Sequence, residues 1–493
     1  MNKYFFLILL FICEQAHTQT NFGQTWVNGL KGYNIKFQNP ILHDTIFNLP
    51  LGFFRGHSNI CDSNGNLLFA CDGMNIYDKN WNLMQDGDTL VPKAWADFNQ
   101  NFSRYTESSI ILPFENKKYY IVTPAMNDTQ LTKSQTNPPA PLYAPLNLLL
   151  YHVVDMNANA GLGKVTQRML PILENKELSK TQMMACRHAN GKDWWLLKMA
   201  GDTNVVYKFL FTQDSVYNKG TQTIPFTWRG YWDIQGQMVF SRDGSKWATT
   251  YTNFFGEAYI GDFDRCTGLL SNFTSLTVPP QLSGYSLPVN VMDTNNTGLC
   301  FSPSGNMLYI ARTTHVLQYN LTTQTYYKVC GWDTTADGFA GYTSLMLAPD
   351  NKIYLGHKGG TSKQMSVIDN PDIANIGCNF CRKCLRSKSN WGVLSAPPCM
   401  PNYELGASGQ PCWPLSISNP TNEGDEILEV YPNPSNDKIK VESRKYKDAI
   451  KQLYNSIGQL MLSTKENEID VSNLSSGIYY IRCGNSVKKV MIE

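Results

Sequence analysis

The 493-residue sequence lacks a charge imbalance, a long apolar run and the short catalytic signatures that spacing alone can reveal. Lys and Arg number 42 and Asp and Glu 40, for a net charge of +2, so no broad positive field exists to hold nucleic acid or an anionic membrane. No apolar stretch approaches the roughly 20 residues that a membrane-spanning helix needs, so no transmembrane segment is expected. The seven histidines, His17, His43, His57, His152, His188, His315 and His357, form no HExxH pair, and neither a GxSxG elbow nor a GxxxxGK[ST] loop occurs. Metalloprotease, serine-hydrolase and P-loop chemistry therefore have no sequence support. Charged residues at 17% against 42% hydrophobic exclude a disordered chain and supply a sizeable core.

What is present begins at the N-terminus. Lys3 precedes an apolar run from Tyr4 to Ile12, and polar residues follow from Glu14. That is the layout of a secretory signal peptide, residues 1–18. Thirteen cysteines, twelve of them beyond the signal, then meet an oxidising compartment, and disulfides are expected. The densest group is Cys378, Cys381 and Cys384 in CNFCRKC. Its CxxC spacing also suits zinc, but no second CxxC or His pair follows, and export favours disulfides there.

One pattern recurs through residues 20–412: an apolar strand, a polar turn, then a second apolar or aromatic strand. It appears at Ile60 (ICDSNGNLLFA), Ile111, Ala185, Val239 (VFSRDGSKWATT), Cys300 (CFSPSGNMLYIA) and Leu347. Asn64-Gly65, Asn190-Gly191, Asp243-Gly244 and Ser304-Gly305 supply the positive φ that tight hairpins require. A further strand pair follows most copies, as in EAYIGDFD from Glu257 and HVLQYNLTTQTYYKV from His315. Four strands per unit, with unit starts at Ser58, Ser108, Thr181, Gly236, Gly298 and Ser344, predict an all-β fold: a β-propeller of about seven four-stranded blades. The seventh blade is expected to be composite, joining Phe22–Leu49 to Trp391–Leu405, which would remove the free sheet edges.

Candidate chemistry is sparse. Asp155-Met156-Asn157-Ala158-Asn159-Ala160-Gly161 alternates oxygen-bearing side chains as a calcium loop does, naming Asp155, Asn157 and Asn159 as candidate metal ligands and calcium as the one cofactor to consider. Ala160 and Thr166 stand where an EF-hand wants Gly and Glu, and Asp and Asn beside strands also make turns on their own account. Ser241–Trp247 approaches the sialidase Asp-box but is one residue short. In Trp194-Trp195 and Tyr119-Tyr120, strand alternation sends neighbouring rings to opposite faces, one to pack between blades.

Residues 427–493 carry VYPNPSNDKIKV from Val430, LYNSIGQLML from Leu453, IDVSNLSSGIYYIRC from Ile469 and VKKVMIE from Val487. This stretch resembles the type A sorting domain of proteins exported by the type IX secretion system of Bacteroidetes. The resemblance implies a small Ig-like β-sandwich, recognition by the type IX machinery, export across the outer membrane, and cleavage in the linker 413–426. The strings DSNGNLLFACDGMNIYDKNWNLM from Asp62, CRHANGKDWWLLKM from Cys186 and MSVIDNPDIANIGCNF from Met365 resemble a group of exported, loosely WD-repeat-like propeller proteins. The expected function is a secreted or cell-surface binding or scaffold protein with a protein or glycan ligand. The rival is an extracellular hydrolase, lyase or lactonase.

Overall fold

The computed structural model describes residues 21–29, 33–45, 53, 55–100, 103, 105–136, 144–201, 203–226, 236–250, 258–278, 296–331, 341–357, 364–386, 397–409, 412, 428–443, 449–455, 460–483 and 486–493. The expected signal peptide and the linker 413–426 lie outside them. The chain divides into two compact units, Met1–Pro411 and Cys412–Glu493.

The first unit is a succession of antiparallel sheets built in chain order. β1 (Thr25–Asn28), β2 (Tyr33–Lys36) and β3 (Leu42–Thr45) form one, and β4 (Ser58–Cys61), β5 (Leu67–Cys71) and β6 (Ile76–Asp78) the next. A helix α1 (Lys93–Phe98) follows. β7 (Ile110–Pro113), β8 (Lys118–Ala125), helix α2 (Asp128–Thr136), β9 (Leu146–Asp155), β10 (Lys164–Arg187), β11 (Trp194–Ala200), β12 (Val205–Phe211) and β13 (Val216–Thr223) come next, and their strands form one continuous seven-stranded sheet. Three four-stranded sheets complete the unit. They are β14 (Gln237–Phe240) to β17 (Leu269–Leu276) through β15 (Lys246–Thr250) and β16 (Ala258–Asp264); β18 (Asn296–Phe301), β19 (Met307–Arg312), β20 (Val316–Asn320) and β21 (Thr325–Cys330); and β22 (Tyr342–Leu347), β23 (Ile353–His357), β24 (Gln364–Ile368) and β25 (Phe380–Arg386).

The seven-stranded sheet is two units fused through β10. Its first half pairs with β9, from Lys164 opposite Asp155 to Leu178 opposite Leu146, and its second half with β11, where Leu178 also faces Ala200. The first strands touch in chain order, β1 on β4, β4 on β7, then β10 on β14, β14 on β18 and β18 on β22.

Alternation along these strands explains why they stack. In the sheet β18–β21, Leu299, Leu308, Ile310 and Leu317 pack with Val239, Ala248 and Ile260 of the sheet before it. The alternate residues Cys300, Met307, Tyr309 and Val316 pack with Leu345, Ile353, Leu355 and Ile368 of the sheet after it. Successive side chains point to opposite faces, so a sheet apolar on both faces needs a neighbour on each side. The aromatic doublets obey the same rule. Trp194 donates to the Pro113 carbonyl on one side at 3.1 Å, and Trp195 to the Arg265 carbonyl on the other at 2.8 Å. Tyr119 meets Phe69 and Tyr120 meets Phe211. Both members of each doublet are buried, so neither faces outward.

The predicted hairpin turns are present: Gly65, Gly191, Gly244 and Gly305 all have positive φ, and Asn351 fills the equivalent place with φ of 63°. The last sheet meets the first through Tyr354, whose ring lies 5.5 Å from Trp26 and 5.4 Å from Phe37. Of the stretch Trp391–Leu405 expected to close the composite blade, residues 391–396 lie outside the described residues, and the remainder does not form the expected strand. Described residues 397–405 contain no strand and do not extend the sheet β1–β3. Pro397, Pro398 and Pro401 remove the N–H groups that a ladder would need.

The second unit holds β26 (Leu428–Tyr431), β27 (Lys438–Ser443) and β30 (Glu468–Asp470) in one sheet, and β29 (Leu460–Thr464), β28 (Lys451–Asn455), β31 (Gly477–Cys483) and β32 (Ser486–Ile492) in another. Val430, Ile439, Val441, Leu453, Ile481 and Val490 share its own core.

Candidate axial site

The inner strands begin with polar residues, and these side chains tie one sheet to the next. Asn59 accepts the Val27 N–H at 3.1 Å and donates to the Thr25 carbonyl at 2.6 Å. Glu107, just before β7, reaches two strands at once, accepting from the Met183 N–H at 2.9 Å and from the Met238 N–H at 2.9 Å. Gln237 does the same further round, accepting from the N–H groups of Leu299 and Leu345 at 3.1 Å each and donating to the Leu345 carbonyl at 2.7 Å. Gln182 donates to the Thr250 carbonyl at 2.9 Å. Inner-strand backbone groups have no ladder partner on the axial side, and buried ones must be paired. These side chains do that work.

Glu107 is fully buried, and loss of hydration pushes its carboxyl up to about 8, against the opposing pull of the Met238 and Met183 N–H groups and the Lys198 ammonium. Lys198, also buried, donates to the Thr181 carbonyl at 2.5 Å. On the inner strands β10 and β22, the side-chain oxygens Gln182 Oε1, Thr343 Oγ1 and Ser344 Oγ are buried without a hydrogen-bond partner. Together they leave polar capacity at the strand-start end.

The middle of the axis is filled by the chain itself. Residues 397–408 run from the strand-start end to the hairpin-turn end, and their contacts fall on the sheet β4–β6, the seven-stranded sheet and the sheet β14–β17, and on Phe22 ahead of β1. The Cys399 N–H donates to the His57 carbonyl at 2.9 Å, and the Tyr403 hydroxyl to the Ile111 carbonyl at 2.9 Å. The Tyr403 ring meets Trp194 and Phe22, each at 6.1 Å. Beyond it Asn402 donates to the Arg242 carbonyl, Glu404 pairs with Arg242 at 2.9 Å, Arg265 donates to the Gly406 carbonyl, and Ser408 N–H reaches the Ala189 carbonyl at 3.0 Å. Cys399, Met400 and Tyr403 are buried.

The residues singled out from sequence lie elsewhere. Asp155, at the end of β9, accepts from the Asn157 N–H at 2.8 Å and its side-chain amide at 3.1 Å, and that amide also donates to the Asn116 carbonyl at 2.8 Å. Asn159 opens a short turn with positive φ. The structure brings Asp155 and Asn157 together as an Asx turn, while Asn159 makes none of these bonds. Among the described residues no group of three or more His, Cys, Asp or Glu side chains is arranged to hold a metal. Cys378, Cys381 and Cys384 are free thiols, contrary to the disulfide expected there: Cys378 is buried in a turn beside Tyr309, and Cys384 is exposed on β25. Cys266, in the turn between β16 and β17, is disulfide-bonded. The near-Asp-box is a hairpin turn in which Asp243 accepts from Ser241 at 2.6 Å and from the Ser245 N–H at 3.0 Å.

Glu107, Gln182, Gln237 and Tyr403 were not legible as a group. The Gln-Met doublets Gln182-Met183 and Gln237-Met238 were the available signal, since each puts an amide at the start of an inner-strand pairing.

Radially stacked antiparallel sheets joined through polar inner edges define a β-propeller, followed here by a small β domain. Residues 429–493 match the family described as Secretion system C-terminal sorting domain. That domain implies handling by the type IX machinery and an outer-membrane or secreted location. No helix among the described residues is long and apolar enough to cross a membrane. Among curated proteins none matches the chain. Similar solved structures include a Pseudomonas aeruginosa periplasmic gluconolactonase (11% identity, 88% of this chain and 95% of that one, TM-score 0.37). Others are apo AztD from Citrobacter koseri (10%, 77% and 87%, TM-score 0.38) and the Myceliophteria thermophila Cps50 (Swd1) β-propeller domain (9%, 78% and 95%, TM-score 0.31).

Proposed function

We propose that the protein is a secreted or cell-surface binding or scaffold propeller of seven blades, presenting one face to a protein or glycan ligand after type IX export. Seven inner strands support the blade count: β1, β4, β7, the second half of β10, β14, β18 and β22. The observation that carries the functional reading is the filled axis. Reacting groups of a propeller enzyme must converge where substrate can reach them; residues 397–408 occupy most of that place, and the cavity left at its hairpin-turn end is lined by one carboxylate, Glu404, already paired with Arg242. Glu107 is held by the backbone N–H groups of Met183, Met238 and Gln182, and among the described residues no second carboxylate hydrogen-bonds to it. Asp155, Asn157 and Asn159 serve the turn in this reading, so neither calcium nor EDTA is expected to move the melting temperature. The mature protein is expected to retain ligands in pull-down and glycan-array screens while turning over no lactone, glycoside or uronate. Empty screens from folded protein would overturn the reading.

One observation favours the hydrolase or lyase alternative. A carboxyl protonated near neutrality is what a general acid requires, and Glu107 is such a group. That alternative predicts turnover abolished by Glu107→Gln, in a variant that still folds.

A further inference from the structure

At the hairpin-turn end of the axis a cavity of about 120 Å³ remains beside Met400–Leu405. Its walls include Trp26, Phe240, Phe301, Met184, Met346 and Met400, and its rim carries Arg242 and Glu404. The geometry points to a binding site for a neutral, single-ring aromatic molecule, a role separate from the face-binding function proposed above.

Size sets the first limit. An apolar cavity of roughly 150 Å³ stays dry and takes up one benzene, so this volume suits one ring and excludes a sugar chain or a peptide. The lining sets the second. Three thioethers and four aromatic rings, Tyr403 being the fourth, surround the space, and sulfur makes favourable contacts with ring edges that a saturated hydrocarbon cannot return. Unbranched Met side chains also shift to fit a guest. The rim sets the third. Arg242 is already paired with Glu404 at 2.9 Å and hydrogen-bonded to Asn351, so an anionic head would have to displace Glu404, whereas a neutral hydroxyl at the mouth would not.

The test uses the mature full-length chain with 13C-labelled methionine methyl groups, titrated with p-cresol, toluene, cyclohexane and benzoate. Saturable shifts of the Met184, Met346 and Met400 methyl signals by p-cresol and toluene are expected, with a concentration-dependent rise in melting temperature. Cyclohexane and benzoate should bind at least fivefold more weakly. Met346→Trp, which fills the space from a half-buried position, should abolish the shifts. Met346→Leu should fold normally and keep them. Unperturbed methyl signals up to the solubility limit, equal binding of cyclohexane, or undiminished binding by a folded Met346→Trp would each overturn the assignment. If Met346→Trp fails to fold, the methyl shifts and the cyclohexane comparison in the unmodified chain decide the matter.

Discussion

His152 accepts the Met169 N–H on Nδ1 at 3.0 Å, so its Nε2–H faces the Thr123 hydroxyl at 2.9 Å. Protonation would set a second N–H against the Met169 N–H. Burial first, and then the Arg168 charge, hold this imidazole down at about 3. His57 and His315 are likewise held at about 3, chiefly by burial. Each is neutral when folded but charges in the unfolded chain below about 6.5, so the stability it contributes is complete above that pH and is lost as pH falls toward 3. Each histidine then removes about 1.4 kcal/mol per pH unit in that window. Denaturant melts from pH 7 to 4 should show a steep fall, made shallower by one such slope in His152→Gln. Glu107 works at the other end. Its folded carboxyl is raised, so its contribution is complete below about 4.5 and is lost as pH rises through about 8. The destabilisation caused by Glu107→Gln should therefore shrink between pH 5 and pH 9.

Gln237 and the segment 397–408 act between elements. Replacing Gln237 by Ala would leave the Leu299 and Leu345 N–H groups and the Leu345 carbonyl without their partner, and at about 1–3 kcal/mol for each buried orphan urea unfolding should register a loss of at least about 3 kcal/mol. Tyr403→Ala would open a void among Trp194, Phe22 and neighbouring strands, an expected loss of about 3–5 kcal/mol. Tyr403→Phe should cost only about 1 kcal/mol, the worth of its hydrogen bond to Ile111. The strands themselves were largely legible in sequence. Unit starts at Ser58, Ser108, Gly236, Gly298 and Ser344 fall within two residues of the observed inner strands, because hairpin glycines and alternation are local signals. The fusion of two sheets through the 24-residue β10 was not legible; Pro171 and the polar run around Glu174-Asn175-Lys176 look like a break, yet bulges at shifts in the β9 register absorb them. The axial segment was misread as strand for the opposite reason. Its neighbours, from Arg265 at a separation of 141 residues to Phe22 at 381, lie far off in sequence, and no local periodicity encodes that.

At the scale of the molecule the two units have separate cores, so calorimetry of the full chain should resolve two transitions, and a chain ending at Pro411 should retain only the larger one. Removal of residues 429–493 should leave the propeller folded but on the inner side of the outer membrane, as cell fractionation would show. The filled axis separates a ring that binds on its face from one that works through its centre, and hydrogen exchange reads it out. In the mature protein, amides of Cys399 to Ser408 should exchange as slowly as those of the inner strands β14 and β18. Exchange within seconds, with β14 and β18 still protected, would mean that the axis is open and would contradict the assignment.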